Sequence, residues 1–352
     1  MRNTEHVHIQ LSVVICVYTE DRWEALLAAV DSAVTQDLPP LDVLVIVDHN
    51  PALLRRLQDR YATDPLVRVL ANAGRRGLSG GRNTGIAAAR GEIVAFLDDD
   101  AVAEPDWLRW FADGYRDPAV QGVGGLTLPV WESGRRPRWY PEEFDWVHGA
   151  TYRGMPTGRA RVRNVLGGNA SFRRTAFATV GGFDAGIGRG AGADASDGVG
   201  IGRAGRQHER RGDRRGDRRA GRLQPLGGEE TELCIRIQQD DPGAVFLFDD
   251  RSVIHHRVPH ERERFAYFRT RCWAEGLSKA KVAGRVGAGD GLSSERRYVT
   301  RTLPAGIARS LGGIARGDLA GLARAGAIAV GGLITAVGFL VGSLRRRSGR
   351  RP

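Results

Sequence analysis

Three adjacent carboxylates, Asp98, Asp99 and Asp100, follow directly on an apolar run, Ile-Val-Ala-Phe-Leu, at residues 93–97. A short run without a polar residue reads as a strand buried on both faces, as in the middle of a parallel sheet. The acids then stand at the carboxyl end of a central strand, where open α/β sheets bind their ligands. Three like charges side by side repel one another, and a divalent cation relieves that repulsion. Hard oxygen ligands suit Mg2+ or Mn2+. Without the strand before it, the same triplet would be an ordinary solvated acidic turn. A second acidic pair, Glu229 and Glu230, opens a predicted helix over 229–239, where the helix dipole favours carboxylates in any protein.

These acids need a scaffold, and the chain supplies the pattern of one. Residues 11–18 form a first β-rich run, 41–47 a second ending at Asp48, and 67–71 a third. Between them lie amphipathic stretches: a helix from Asp21, read as its cap, to about Thr35, and another over 52–61. A glycine-rich loop at 77–81 enters a helix over 79–90, and Glu104-Pro105 open one after the triplet. This alternation implies a mainly parallel sheet with helices on both faces. Further on, the pattern predicts strands at 120–128, 244–248 and 252–256, and a strand broken by a glycine turn over 162–173. Residues 130–161 read as a long ordered loop, 174–180 as a short helix and 261–286 as a long one.

The 352 residues suffice for one large domain or two medium ones. Three cysteines, Cys16, Cys234 and Cys272, stand far apart and without metal-ligand spacing, which fits reduced thiols in a cytosolic setting. Residues 1–10 are a polar tail without an apolar signal core. The net charge of +11 is localised: residues 186–224 hold ten Arg against five acids, and residues 345–352 hold five Arg and no acid. The remainder is near neutral, so nucleic acid is excluded as a partner and the basic end points to an anionic surface. Residues 186–224 also carry Gly-Asp-Arg-Arg twice in tandem and almost no large apolar side chain. Such a segment cannot offset its ordering entropy and is expected to be a disordered, dispensable insertion.

Five motifs recur in a fixed order: Val17-Tyr18-Thr19-Glu20, Val47-Asp48-His49-Asn50, Gly81-Arg82-Asn83-Thr84-Gly85, Asp98-Asp99-Asp100, and Gly228-Glu229-Glu230-Thr231-Glu232-Leu233. This set resembles the family 2 glycosyltransferases of the GT-A fold, from about residue 11 to 282 apart from the insertion. The resemblance implies a nucleotide-sugar donor and an α/β catalytic domain over 11–290. It implies that Thr19, Glu20 and Asp48 hold the nucleotide, with a carboxylate accepting from a base N–H. Arg82 would lie near the diphosphate, where a guanidinium matches phosphate geometry. Asp98 and Asp100 match the family's Asp-x-Asp motif, with Asp99 inside it, and would hold Mg2+ or Mn2+. His255, or its neighbour His256, would complete the metal shell. Glu230 falls at the position of the catalytic base, with Glu229 in reserve; Glu replaces the commoner Asp there and is one methylene longer. Gly167, Gly168 and Asn169 match the loop that shapes the acceptor side. Residues 96–107, 141–146 and 162–164 further resemble archaeal glucuronosyltransferases that extend a dolichyl-phosphate-linked sugar, and their bacterial relatives, which implies a UDP-sugar and a glycan or lipid-linked acceptor. Transfer to a lipid phosphate, a nucleotidyl enzyme and a non-catalytic transferase-like scaffold remain open readings.

The C-terminal region, 291–352, agrees with a lipid-linked acceptor. Residues 325–344 carry no charge and are long enough to cross a bilayer, but arginines follow at once and five glycines interrupt the run. Crossing from the cytosol would carry those arginines outward, against the positive-inside rule. A helical pair on the cytoplasmic face of the membrane, its arginines on anionic lipid, is expected, and its removal from Leu303 onward should leave a folded catalytic domain. A spanning helix and a soluble helical cap stay open.

Overall fold

The computed structural model describes residues 9–187, 227–287, 289 and 293–348. Most of the predicted insertion, and the ends of both termini, lie outside them. Among the described residues one nine-stranded mixed sheet organises the chain. Its first half runs as predicted: β1 (Leu11–Val17), α1 (Trp23–Val34), β2 (Asp42–Val47), α2 (Pro51–Arg60), β3 (Val67–Ala71), α3 (Leu78–Ala88) and β4 (Ile93–Asp98). The four strands are parallel in the order β3-β2-β1-β4. Strand alternation sends Val13, Ile15 and Val17 of β1 to a core shared with α1 and α2, and Val14 to a second core on the other face. Gly85 lets α3 lie close to β1, since a Cβ there would come within 2.5 Å of Val14.

The second half departs from the simple alternation. A three-residue strand, β5 (Ala101–Ala103), separates the acidic triplet from α4 (Trp107–Gly114). Then follow β6 (Val120–Trp131), a short 3-10 helix (Glu142–His148) inside the predicted loop, β7 (Ala160–Val162), β8 (Asn169–Arg173) and α5 (Arg174–Val180). The helix α6 (Glu229–Asp240) precedes β9 (Val245–Val258), one long strand where the sequence suggested two. A register shift between Gly125 and Leu126 of β6, opposite Asp249 and Val253, accounts for the polar interruption. β8 runs antiparallel between β4 and β6, so the sheet is mixed: parallel through its first half, with one further parallel pair, β6 and β9, in its second. Asp21 does not cap α1: Arg22 holds the cap position, and Asp21 accepts from the Thr19 hydroxyl at 2.8 Å.

The C-terminal helices are α7 (Phe265–Val286), α8 (Ser293–Arg297), a wide π turn (Tyr298–Thr302), α9 (Leu303–Ile314) and α10 (Ala320–Ser348). They complete a third core in which Phe144, Tyr140 and Trp131 meet Phe268 and Cys272 of α7, Leu303 of α9 and Ile328 of α10. Polar contacts fix the same junction. The Trp146 indole donates to Tyr298 Oη at 2.9 Å, Tyr298 donates to the Glu143 carbonyl at 2.7 Å, and Arg309 pairs with the buried Glu143 carboxylate. This corrects the expectation that Leu303–Pro352 can be removed cleanly, because removal would expose Phe144 and Phe268. Truncation before Leu303 is expected to abolish a sharp thermal transition. Phe144→Ala in the full chain should lower stability by about 3–5 kcal/mol in denaturant unfolding.

Candidate active site

The carboxyl ends of β1, β2 and β4, the turn before β8 and the start of α6 meet at one edge of the sheet. Asp100 lies just past β4 and is buried. One of its oxygens is 2.9 Å from His256 Nε2 of β9, and the other is 2.6 Å from Arg22 and 3.7 Å from Arg262. Burial alone would raise the Asp100 carboxyl, but His256, Arg22 and Arg262 together hold it far below the ordinary carboxylate range. Burial would likewise lower His256, and the Asp100 carboxylate outweighs it and raises the imidazole. Asp99 turns to Arg22 as well, at 3.0 Å.

One ligand atom each from Asp98, Asp100 and His256 lies within 4.8 Å of the others. Two carboxylates and an imidazole form a donor set that suits Mn2+ or Mg2+ better than a soft metal. The surroundings fit an ion: His256 Nδ1 is buried without a protein partner among the described residues, and Nε2 stands 2.9 Å from the Asp100 carboxylate. Asp98 is packed so closely that a Cβ on Gly168 would come within 2.4 Å of its carboxylate. Gly168→Ala is therefore expected to push Asp98 aside and weaken Mn2+ binding about tenfold or more by calorimetry, in line with the cost of disturbing a ligand's supports.

His255, the metal residue the sequence named first, does not join the group. Successive residues of a strand face opposite ways, and His255 meets Glu104 at 2.6 Å on the other face. Asn169 also departs from its expected place on the acceptor side. It is fully buried, accepts from the Trp107 indole at 2.8 Å and donates to the Leu126 and Ser252 carbonyls, so its side chain ties β8 to β6, β9 and α4.

Gly167 and Gly168 do line the site. The buried Arg82 of α3 donates to the Gly167 carbonyl at 2.9 Å, reaches Glu229 at 3.3 Å and stands 4.0 Å from Asp98. Its guanidinium also lies over the rings of Phe96 and Phe183, at 5.5 and 5.2 Å. Gly228 enters α6 with φ +93°, a left-handed geometry suited to glycine, which sets both glutamates in the first turn. Glu229 is buried against Arg82, whereas Glu230 lies beside Gly167, whose Cβ would come within 3.2 Å of it. Burial first, and the Glu229 charge second, push Glu230 up to about 7, with Arg82 pulling the other way.

At the β2 end, Asp48 accepts from Asn72 at 2.6 Å and from the Gly77 N–H at 2.9 Å, so it shapes the glycine loop that leads into α3. Thr19 closes a turn on Asp21, and Glu20 is exposed and paired with Arg56 at 3.1 Å. The sequence reading missed Arg22 and Arg262. Arg22 carried a usable signal, five residues past β1 on the edge where the acids stand. Arg262 carried none, because its approach to Asp100 depends on how the loop after β9 folds back.

The fold and this edge define a glycosyltransferase of the GT-A type. The structure is similar to a mannosyltransferase from Pyrobaculum calidifontis in complex with GDP-Man and Mn2+, with a TM-score of 0.56 and 17% identity over 94% of this chain and 87% of that one. It is also similar to GalNAc-T7 with UDP, GalNAc and Mn2+, with a TM-score of 0.51 and 17% identity over 83% of this chain and 58% of that one. In sequence, the glucosyl-dolichyl phosphate glucuronosyltransferase of Haloferax volcanii is 31% identical over 272 residues, 77% of this chain and 76% of its own. The succinoglycan biosynthesis protein ExoO of Rhizobium meliloti is 38% identical over 90 residues, 24% of each chain. Residues 12–181 match the profile of glycosyl transferase family 2. The chain belongs to that family, and it is an enzyme of the glycosyltransferase class.

Proposed function

We propose that the protein is an inverting glycosyltransferase that moves a sugar from a UDP-sugar to a hydroxyl of a lipid-linked acceptor at the cytoplasmic face of the membrane. One observation carries this reading. Two consecutive glycines face the two acidic groups: Gly168 faces Asp98, and Gly167 faces Glu230 and Arg82. A donor's leaving group and an acceptor hydroxyl can therefore meet between them.

Asp98, Asp100 and His256 would hold a divalent cation, which when bound takes up the negative charge of the departing diphosphate. Arg82 neutralises Glu229 and Asp98 around the donor. Thr19, Glu20 and Asp48 lie at the ends of β1 and β2, where the nucleotide of such a donor would sit. Glu230 takes the proton from the acceptor hydroxyl, and the freed oxygen attacks the anomeric carbon on the face away from the nucleotide. A carboxylate near 7 suits this task, because about half of it is ionised at neutral pH and it is basic enough to accept a proton.

Residues 11–290 would form the catalytic domain and 291–352 the membrane-associated region. The lipid-linked acceptor is supported by the activity for which the Haloferax relative is named and by a C-terminal helix apolar enough to meet a bilayer. The test is nucleotide release from a panel of nucleotide sugars with a glycosylated polyprenyl phosphate as acceptor, with Mn2+ and with chelator. Acceptor-dependent release of UDP supports the proposal, and release from no donor overturns it.

A further inference from the structure

The helix α10 has two opposed faces. One docks on the catalytic domain: Gly331 lies against Phe144 and Phe268, Gly338 against the Trp273 carbonyl, and Gly342 against Leu277 and Ala280 of α7. Gly276 of α7 reciprocates, with room for no Cβ beside the Thr335 carbonyl. The other face exposes Leu322, Val330, Leu333, Val337, Leu340 and Leu344. At 3.6 residues per turn these six fall within an arc of about 80°, turned roughly 140° from Gly331, Gly338 and Gly342. Glycines that read as a weakness in the sequence are thus what allows a close helix–helix approach, while the leucines are left uncovered among the described residues.

Leu311 of α9 and Leu319 of the turn, the latter 76% exposed, extend the apolar surface. There a groove of about 480 Å3 is lined by Arg138, Trp139, Leu319 and Ala323. Charge frames it. From Arg296 to Pro352 the chain has eleven arginines and a single acid, Asp318, and the exposed Arg316 and Arg345 flank the two ends of α10. An apolar stripe framed by cations complements an anionic lipid surface.

We infer that α10 lies in the plane of an anionic leaflet, its leucine face in lipid and its glycine face on α7, and does not cross the bilayer. Crossing would require α10 to leave α7 and uncover the aromatic core, or to draw into hydrocarbon the ion pairs that Lys279 of α7 makes with Glu275 and Glu295. The inference rests on the membrane-surface part of the proposed function and adds the partner and the orientation.

The test uses the full chain with nitroxide labels on Leu322→Cys, Leu333→Cys and Leu344→Cys, one at a time. Cys234 and Cys272 are buried, and the half-buried Cys16 is replaced by Ser. On vesicles containing phosphatidylglycerol, the three labels should report one shallow depth. On phosphatidylcholine alone, or for Leu333→Glu with Leu340→Glu, binding should fall about tenfold or more. A spanning helix would place successive labels about 16 Å apart along the membrane normal, from 11 residues at 1.5 Å each, and that result overturns the inference. Labels in water on both vesicle types overturn it as well. Transfer to a short-chain, water-soluble acceptor is measured on the same samples. If transfer persists while the labels stay in water, the docking inference fails and the catalytic reading stands; if transfer is absent while the labels lie shallow, the reverse holds.

Discussion

Glu230→Gln is expected to cut transfer to a hydroxyl acceptor on the order of a hundredfold to ten-thousandfold, the usual cost of losing a general base, with donor affinity retained. Gln has nearly the shape of Glu and cannot take the proton, and among the described residues Glu230 makes no ion pair whose loss would disturb the donor side. In the unsubstituted enzyme kcat/KM should rise with pH through about 7, because the base works only when ionised and burial with the Glu229 charge raises its carboxyl to that value. That limb should vanish in the variant. Glu229→Gln acts elsewhere: it removes the carboxylate 3.3 Å from the buried Arg82, so its signature is a lower unfolding midpoint with the pH limb kept but moved to lower pH, because the Glu229 charge helps raise Glu230. If the two effects are exchanged, the base is Glu229. If neither substitution slows transfer, the acceptor is already an anion, and transfer to a lipid phosphate becomes the better reading.

Asp100→Asn should abolish the dependence of donor binding on Mn2+, measured by calorimetry with and without the ion. The Asp100 carboxylate is the shared partner of His256, Arg22 and Arg262, so the substitution also removes the common anion of three buried or half-buried basic groups, with Arg22 keeping Asp99 at 3.0 Å. Breaking such a buried pair typically costs about 3–5 kcal/mol, and a fall in stability of that size is expected alongside the lost binding. The pH dependence has a definite sign. Asp100 is held well below its unfolded value, so its stabilisation is present above the ordinary carboxylate range and is lost as pH falls through and below it. Transfer that runs undiminished in chelator would remove the metal from the site.

The parallel half of the fold could be read from the sequence almost residue by residue, because β1, β2 and β4 are buried on both faces and give runs that are apolar but for Ser12 and the terminal Asp42 and Asp98. The acids of the site could be read for the same reason, since each follows directly on such a run or on a left-handed glycine. What could not be read depends on partners distant in sequence. Whether His255 or His256 faces Asp100 is a matter of strand phase, set by the pairing of β9 with β5 and β6 rather than by either histidine. Asn169 sits beside Gly167 and Gly168 in sequence, yet the same alternation turns its side chain to Trp107 in the core. The role of Arg262 follows from the path of the loop after β9, and the glycines of α10 make sense only against the glycine of α7 that they meet.

Both margins of the predicted insertion are fastened to one helix. The Gly186 carbonyl accepts from Lys281, and the Gly227 N–H donates to Ser278 Oγ at 3.0 Å. Positions 278 and 281 are about one turn apart on α7, a rise of roughly 4.5 Å, so both margins are held by one short stretch of that helix. The protein is in this respect a plug-in frame. Whatever length runs between those two anchors adds only a slowly growing closure entropy and does not alter the spacing of α5, α6 or the glutamates that begin α6. A four-residue linker in place of residues 190–222, or a whole folded module with neighbouring termini, should be accommodated at this port with transfer intact, which makes it a natural place to attach a reporter to the enzyme.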